Sequence, residues 1–400
     1  MASDMTDQLG KDDLSEQDST AIVEVIRGLG LGGSETLLYC RLAEIAARRN
    51  GHLGRYTVIS TAPHQQHFEQ MIRETGCHVI STTSASPFKG GLQLIRLLRR
   101  NHKGSTIVVH SPSPAIFIKC SKALGILSNV VIEVVHSSNY RLIYKLTSAI
   151  TNRMANAGIA VSQAVATSAG TMGLRPLSII YGGVGVRDMR SFLEQHPDLR
   201  RTLWKRADIP SDATVICAVG SLIPLKGHVD LLEAFSRLPR GPHLVLVGEG
   251  PERKSLESVI GRLNIGDRVH LVGSYWPAWH WISASHILCH PSHHEGLPVA
   301  MIEAFALGKQ VIATDFPAAQ EALALEPALV KLAPIGDVSG IEAQLRTTLS
   351  QDPGLQLDAQ ASSYNWSIDR YVDEFLAALE SARTQSQGRS HGFKRIKQTE

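Results

Sequence analysis

One pattern constrains this chain more than any other. Short apolar runs rich in β-branched residues alternate with stretches of helical spacing, and the alternation occurs twice. The first round contains AIVEVI (21–26), YTVIS, CHVIS, STIVVH, VVIEVVH and AGIAVS, separated by stretches such as ETLLYCRLAEIAARR and GGLQLIRLLRRNH. Continuous apolar runs of this length are strands buried on both faces. Strands alternating with helices predict a parallel, doubly wound sheet. The second round contains TVICAVGS, HLVLVGEG, RVHLVG, HILCHPS and QVIATD, with helices expected over 227–238, 251–263, 296–307 and 338–350. A chain of 400 residues suits two such cores better than one.

The predicted organisation is a disordered acidic leader over 1–19, a first domain over 20–185, a polar linker over 186–211 and a second domain over 212–365. A helix over 366–384 is expected to cross back to the first domain, ahead of a disordered basic tail over 385–400. The leader lacks the basic start and apolar stretch of a signal peptide, and no apolar run approaches the roughly 20 residues of a membrane span. This reading predicts a cytoplasmic protein. The five cysteines are scattered and none forms a C-x-x-C pair, which argues against a disulfide framework and a zinc knuckle. Charge is uneven: residues 20–185 carry 17 Lys and Arg against six Glu, whereas 186–380 carry 17 bases against 24 acids. One basic and one acidic half fit two domains with different partners. The basic half lacks interleaved aromatics, so a nucleic-acid partner is disfavoured.

The motifs lie where strands end. Ligands of open α/β sheets bind at the carboxyl ends of the strands. Gly28, Gly30 and Gly33 form G-x-G-x-x-G between a strand and a helix. A dinucleotide site would need an acid at the end of the second strand, and YTVISTAP has none. What remains is a glycine turn that lets backbone amides approach an anion, or a tight turn alone. Lys226-Gly227 follows another strand, where a lysine suits a phosphate. Gly248 and Gly250 mark a further strand-to-helix turn. His110 and His136 each end a strand in the basic half, so each is a candidate for the cleft.

HHEGLPVAMIEAFALG (293–308) is richer. His293, His294 and Glu295 invite a metal reading, but adjacent side chains point apart and no second cluster has ligand spacing, so no metal site is expected. Glu295 and Glu303 are eight residues apart. On a helix starting at Glu295 they would share one face, ~12 Å apart along the axis. Two carboxylates so placed accept hydrogen bonds from several hydroxyls, and the Gly296 and Leu297 amides near the helix start suit negative charge. The chemistry fits a nucleotide diphosphate-sugar.

In order along the chain stand Gly32-Gly33-x-Glu35, His136, AVS (160–162), YGGV (181–184), Lys226-Gly227, LVGEGP (246–251) and Glu295-x7-Glu303 with Gly308. The ordered set, over about 21–380, resembles the family 4 glycosyltransferases of the glycosyl transferases group 1 type. The resemblance implies the GT-B fold: two Rossmann-like, doubly wound parallel-sheet domains facing across a cleft. It implies a retaining transfer of sugar from a nucleotide-sugar to a glycan, lipid-linked or small-molecule acceptor in surface polysaccharide or glycolipid synthesis. No metal or other cofactor is required, and a UDP-sugar is favoured over a GDP-sugar as donor.

Carried over residue by residue, His136, Glu295 and Lys226 would be the catalytic set. The donor would be held by Gly32, Gly33, Ser221, Lys226, Gly248, Gly273, Ser274, Glu295, Gly296, Leu297 and Glu303. Glu303 would take the ribose, Lys226 the diphosphate, and the backbone at 273–275 the base. Four positions depart from the family pattern: Ser221 stands where Arg is common, with Arg253 as a substitute, Gly182 and Gly185 lack the usual side chains, and Gln310 stands where Pro is usual. The alternative reading is a catalytically weak nucleotide-sugar-binding protein acting as regulator or partner. The helix over 89–104, with leucines on one side and Arg96, Arg99, Arg100 and Lys103 elsewhere, is either an ordinary surface helix or a contact with anionic lipid at the inner face of the plasma membrane.

Overall fold

The computed structural model describes residues 21–50, 53, 55–62, 66–82, 87–138, 142–351 and 365–396; the expected leader and the last four residues lie outside them. The first sheet contains β1 (Ile22–Ile26), β2 (Tyr56–Ser60), β3 (His78–Ser81), β4 (Thr106–Val109), β5 (Val130–Val135), β6 (Ala157–Ala160) and β7 (Leu177–Ile179), and the second β8 (Val215–Val219), β9 (His243–Val247), β10 (Val269–Gly273), β11 (Ile287–His290), β12 (Gln310–Thr314) and β13 (Val330–Ala333). All pairings between these strands are parallel, in the orders β3-β2-β1-β4-β5-β6-β7 and β10-β9-β8-β11-β12-β13. Each sheet reverses its strand direction of growth once, next to β1 and next to β8. Those switch points open the crevices in which α/β folds bind ligands.

The helices of the first domain are α1 (Gly33–Arg48), α2 (Gln66–Glu74), α3 (Pro87–Asn101), α4 (Pro112–Ala123), α5 (Leu142–Thr151) and α6 (Gln163–Ala166). Then come α7 (Val186–Gln195) and α8 (Leu199–Arg206), where a polar linker was expected. Met189, Leu203, Trp204 and Ile209 are buried there, and the Trp204 indole donates to the Ala284 carbonyl at 3.2 Å. An apolar stripe inside a polar composition therefore docks the segment on the second domain.

The remaining helices are α9 (His228–Ser236), α10 (Arg253–Leu263), α11 (Trp279–Ala284), α12 (Val299–Ala306), α13 (Pro317–Leu325), α14 (Val338–Ser350) and α15 (Ile368–Ile396). Two corrections follow. The helix expected from 296 begins at Val299, because Pro298 sits extended at its N-cap. A proline suits a helix only in its first turn or just before it. The final helix continues past 384 to Ile396, since no proline interrupts the polar tail.

Helix α15 packs against α1 and β5 of the first domain. Arg41 of α1 lies 3.7 Å from the centroid of the Phe375 ring and donates to the Tyr371 hydroxyl at 2.7 Å. Arg48 reaches Asp373 at 2.5 Å, and Arg370 donates to the Tyr181 carbonyl at 2.8 Å. Apolar side chains of α1, α12 and α15 belong to one continuous buried cluster, which joins the facing sides of the two sheets. Separate clusters cover their outer sides.

The leucine side of α3 is consumed by one of these outer clusters. Leu94, Ile95 and Leu98 are buried, while Phe88 and Leu92 remain exposed beside exposed Arg96, Arg99 and Arg100. Among the described residues, no helix is long and apolar enough to cross a membrane.

Candidate functional site

Between the two sheets lies a cleft of about 480 Å³ lined from both domains. The first domain contributes the turn at Leu31–Ser34, the start of α1 and His136. The second contributes the ends of β8, β9 and β11, the loop 274–278, and the segment from Glu295 into α12. Of the predicted residues, Gly32, Gly33, His136, Ser221, Lys226, Gly248, Ser274, Glu295, Gly296, Leu297 and Glu303 all line it. Gly273 does not; it stands behind the wall, where its carbonyl accepts from the Gly248 amide at 2.9 Å. The neighbouring Ser274, Tyr275 and Trp276 do face the cleft.

Two glycines are required by close approach. Gly248, with φ of +152°, lies so near the Gly220 carbonyl that a methyl group would collide with it. Gly296 presses against the carbonyl of His136, across the cleft, with the same consequence for any added side chain. Ser162 of the first domain donates to the Gly296 carbonyl at 2.7 Å, holding that contact. Gly33 faces Val299 at the start of α12.

Glu295 lies in the loop before α12 rather than on it, which corrects the expectation of a shared helical face with Glu303. The loop turns its carboxylate onto Lys226, with which it forms an ion pair. Ser292 donates to the same oxygen at 3.1 Å, and Nε2 of His290 lies 3.3 Å away. Burial alone would raise the Glu295 pKa, but the His290 hydrogen bond and the Lys226 charge outweigh it and push the group down to about 2. Glu303, buried on α12, has no side-chain hydrogen-bond partner among the described residues, and burial pushes it up to about 8.

The HHE triplet does not converge. His293 pairs with Asp230 at 2.7 Å, His294 meets Ser138 at 2.9 Å, and Glu295 turns to Lys226. Among the described residues, no group of three or more His, Cys, Asp and Glu is placed to hold a metal ion.

Ser221 faces the cleft from the turn after β8. Arg253, considered as its substitute, is absent from the lining and occupied elsewhere, by Glu249 at 2.5 Å and Glu257 at 3.0 Å. A side chain at Gly182 would strike buried Leu37, whereas one at Gly185 would meet only the end of the Asp188 side chain, which can swing away; nothing in the structure explains the glycine there.

Sequence reasoning missed several members of the wall. His290 ends β11 just as His110 and His136 follow β4 and β5, so its position was a usable signal. Trp276 was not signalled: it stacks edge-on with Tyr39 and Phe68 of the first domain, at 5.8 and 5.7 Å between ring centroids, and such pairing across domains has no local pattern. Glu24, inside β1, read as an ordinary strand residue.

Residues 200–346 match the model of the family described as Glycosyl transferases group 1. Over 153 residues the chain is 32% identical to the lipopolysaccharide core biosynthesis glycosyltransferase LpsD of Rhizobium meliloti, covering 38% of this chain and 44% of that protein. It is 26% identical over 134 residues to the lipopolysaccharide glucosyltransferase WaaG of Escherichia coli, covering 32% and 36% respectively. The chain thus spans less than half the length of the curated relatives it matches. Similarity of fold extends further. The structure of Anabaena Alr3699/HepE in complex with UDP-glucose aligns with a TM-score of 0.76 at 19% identity, over 90% of this chain and 99% of that one. The structure of WaaG aligns with a TM-score of 0.64 at 17% identity, over 90% and 98%. The two parallel-sheet domains therefore form the GT-B fold.

Proposed function

We propose that this protein is a retaining glycosyltransferase of the family 4 type. It moves a sugar from a nucleotide-diphosphate sugar, a UDP-sugar ahead of a GDP-sugar, to a glycan, lipid-linked or small-molecule acceptor in surface polysaccharide or glycolipid synthesis. The observation that carries this reading is the composition of one cleft: a buried carboxyl without a partner, a lysine–glutamate pair, and glycine backbone opposite. The bound UDP-glucose of the Anabaena structure, and the lipopolysaccharide roles in the relatives' names, support the choice of donor and pathway.

In this reading Glu303 accepts hydrogen bonds from the ribose hydroxyls. Lys226 meets the diphosphate as a point charge, and the Gly33 amide approaches it from the start of α1. Glu295, Gly296 and Leu297 face the donor sugar, and the Ser274–Trp276 loop the base. The acceptor hydroxyl attacks from the side of the departing diphosphate, whose oxygen takes its proton. Such a route asks the protein for positioning and for charge stabilisation on the leaving group. Glu295 is held by Lys226, Ser292 and His290. That supports a binding carboxylate over a covalent nucleophile. No metal is assigned a role.

Thermal shift against a panel of nucleotide-sugars tests the donor class, and sugar release from UDP-glucose by purified protein separates a transferase from a weakly active binder. No shift with any nucleotide-sugar would sink both readings. Contact with anionic membrane through 89–104 rests on its exposed arginines with Phe88 and Leu92. Failure to co-sediment with anionic liposomes at low salt would remove it.

A further inference from the structure

One buried network reaches the cleft without a part in the transfer just described. Glu24, inside β1, is completely buried. Arg41 donates from Nη2 to its Oε1 at 2.8 Å, and Nε2 of His110 lies 2.6 Å from its Oε2. His110 carries the chain onward, its Nδ1 standing 3.0 Å from Nε2 of His136, a residue of the cleft lining. Adjacent strands β1, β4 and β5 bring these three side chains into line. Neither Glu24 nor His110 lines the cleft, so each acts there only through His136.

The position of every proton in this chain follows from donor and acceptor capacity. Arg41 is only a donor, and its charge balances an ionised Glu24. In its neutral form His110 offers one donor nitrogen and one acceptor nitrogen. An ionised carboxylate only accepts, so the proton shared with Glu24 belongs to His110 Nε2. A neutral imidazole carries one N–H, so His110 Nδ1 accepts. The proton between the two rings then belongs to His136 Nε2. Burial above all, with the Arg41 charge nearby, pushes His136 well below the ordinary imidazole range, which keeps it neutral. Its Nδ1 remains a lone pair, and it has no hydrogen-bond partner among the described residues.

We infer that Glu24 and His110 are positioning residues, which hold His136 in the tautomer whose Nδ1 accepts a hydrogen bond from a sugar hydroxyl in the cleft. The hydroxyl's identity as sugar rests on the proposed transfer; the proton order does not. Orientation of an imidazole by a partner on its far nitrogen is a general device.

Nitrogen-15 spectra of histidine-labelled protein read the tautomer directly. Wild-type His136 is expected as the Nε2–H form, and an Nδ1–H form or an imidazolium there would overturn the inference. Glu24→Gln provides the sharper test. The oxygen of the introduced amide must stay on Arg41, so the amide nitrogen faces His110 and donates. His110 then accepts at Nε2 and donates from Nδ1, which forces His136 to Nδ1–H. One isosteric change thus swaps a tautomer two side chains away. With it, kcat/KM for UDP-glucose is expected to fall at least tenfold while UDP affinity stays within about twofold. An unchanged tautomer in folded Glu24→Gln overturns the chain.

If that variant does not fold, His110→Phe keeps the Glu24–Arg41 pair. It is expected to leave His136 a mixture of tautomers with the same loss of kcat/KM; a retained single Nε2–H form would overturn the inference. Wild-type protein that shows the expected tautomer yet binds no nucleotide-sugar would overturn the transfer reading and leave the proton order standing.

Discussion

Glu24 and Glu303 are both buried carboxyls close to one cleft, and their surroundings hold them in opposite states. Burial raises both. At Glu24 the Arg41 charge and the His110 hydrogen bond outweigh it and lower the pKa. At Glu303 nothing opposes burial, and the group sits at about 8. The first-domain carboxylate is therefore held from within, by Arg41 on one oxygen and His110 on the other. The second-domain wall leaves a carboxyl open toward the cleft. A buried group without a partner is costly to the fold, and such groups concentrate where a ligand supplies the missing bond. The comparison separates a carboxylate whose partners lie within the fold from a carboxyl left open to a ligand.

The largest effect expected from breaking this contrast is on the satisfied carboxylate. Arg41→Met leaves Glu24 as a buried charge with only His110, and should destabilise the protein by about 3–5 kcal/mol in urea unfolding. A loss below about 1 kcal/mol would mean that the network is not the support it looks to be. Next comes Lys226→Ala, which removes the charge proposed for the diphosphate. It should lower kcat about 10²–10³-fold, as loss of a preorganised charge contact does, with a smaller loss of Tm because Glu295 keeps Ser292 and His290 as partners. Full turnover would refute that role.

Glu303→Gln tests the open wall through pH. The native Glu303 carboxyl keeps its proton up to about 8, whereas the unfolded chain releases it near the ordinary value of 4.5. The native state then binds more protons across that window, so wild-type stability falls as pH rises from about 4.5 to about 8. The variant lacks this slope. Its Tm should match wild type near pH 4.5 and exceed it at pH 8, and equal Tm values at both pH values would contradict the buried, protonated acid. The smallest effect belongs to Arg48→Ala. Its contacts with Asp369 and Asp373 are half exposed, so their loss should cost less than about 1 kcal/mol.

The sheets were legible because their strands are buried on both faces and spell that out locally, as VVIEVV does in β5. The glycine turns and the two glutamates were legible because their types and order are distinctive. What could not be read depends on contacts distant in sequence. Arg41 meets Tyr371 across 330 positions, and nothing near Glu24 announces that a guanidinium and an imidazole will cover it. The leucines of α3 were visible, but their direction, toward the sheet, was not. The start of α12 was misread because apolar periodicity runs through Leu297, whereas Pro298 decides where helical hydrogen bonding begins.

The Gly296–His136 contact bears on how the two domains meet. Backbone meets backbone there, with no side chain between to rotate or yield. Main-chain geometry alone therefore sets how near the histidine wall stands to the glutamate wall. A bulkier residue at 296 would act as a wedge between the two walls, at a position that itself faces the proposed donor sugar.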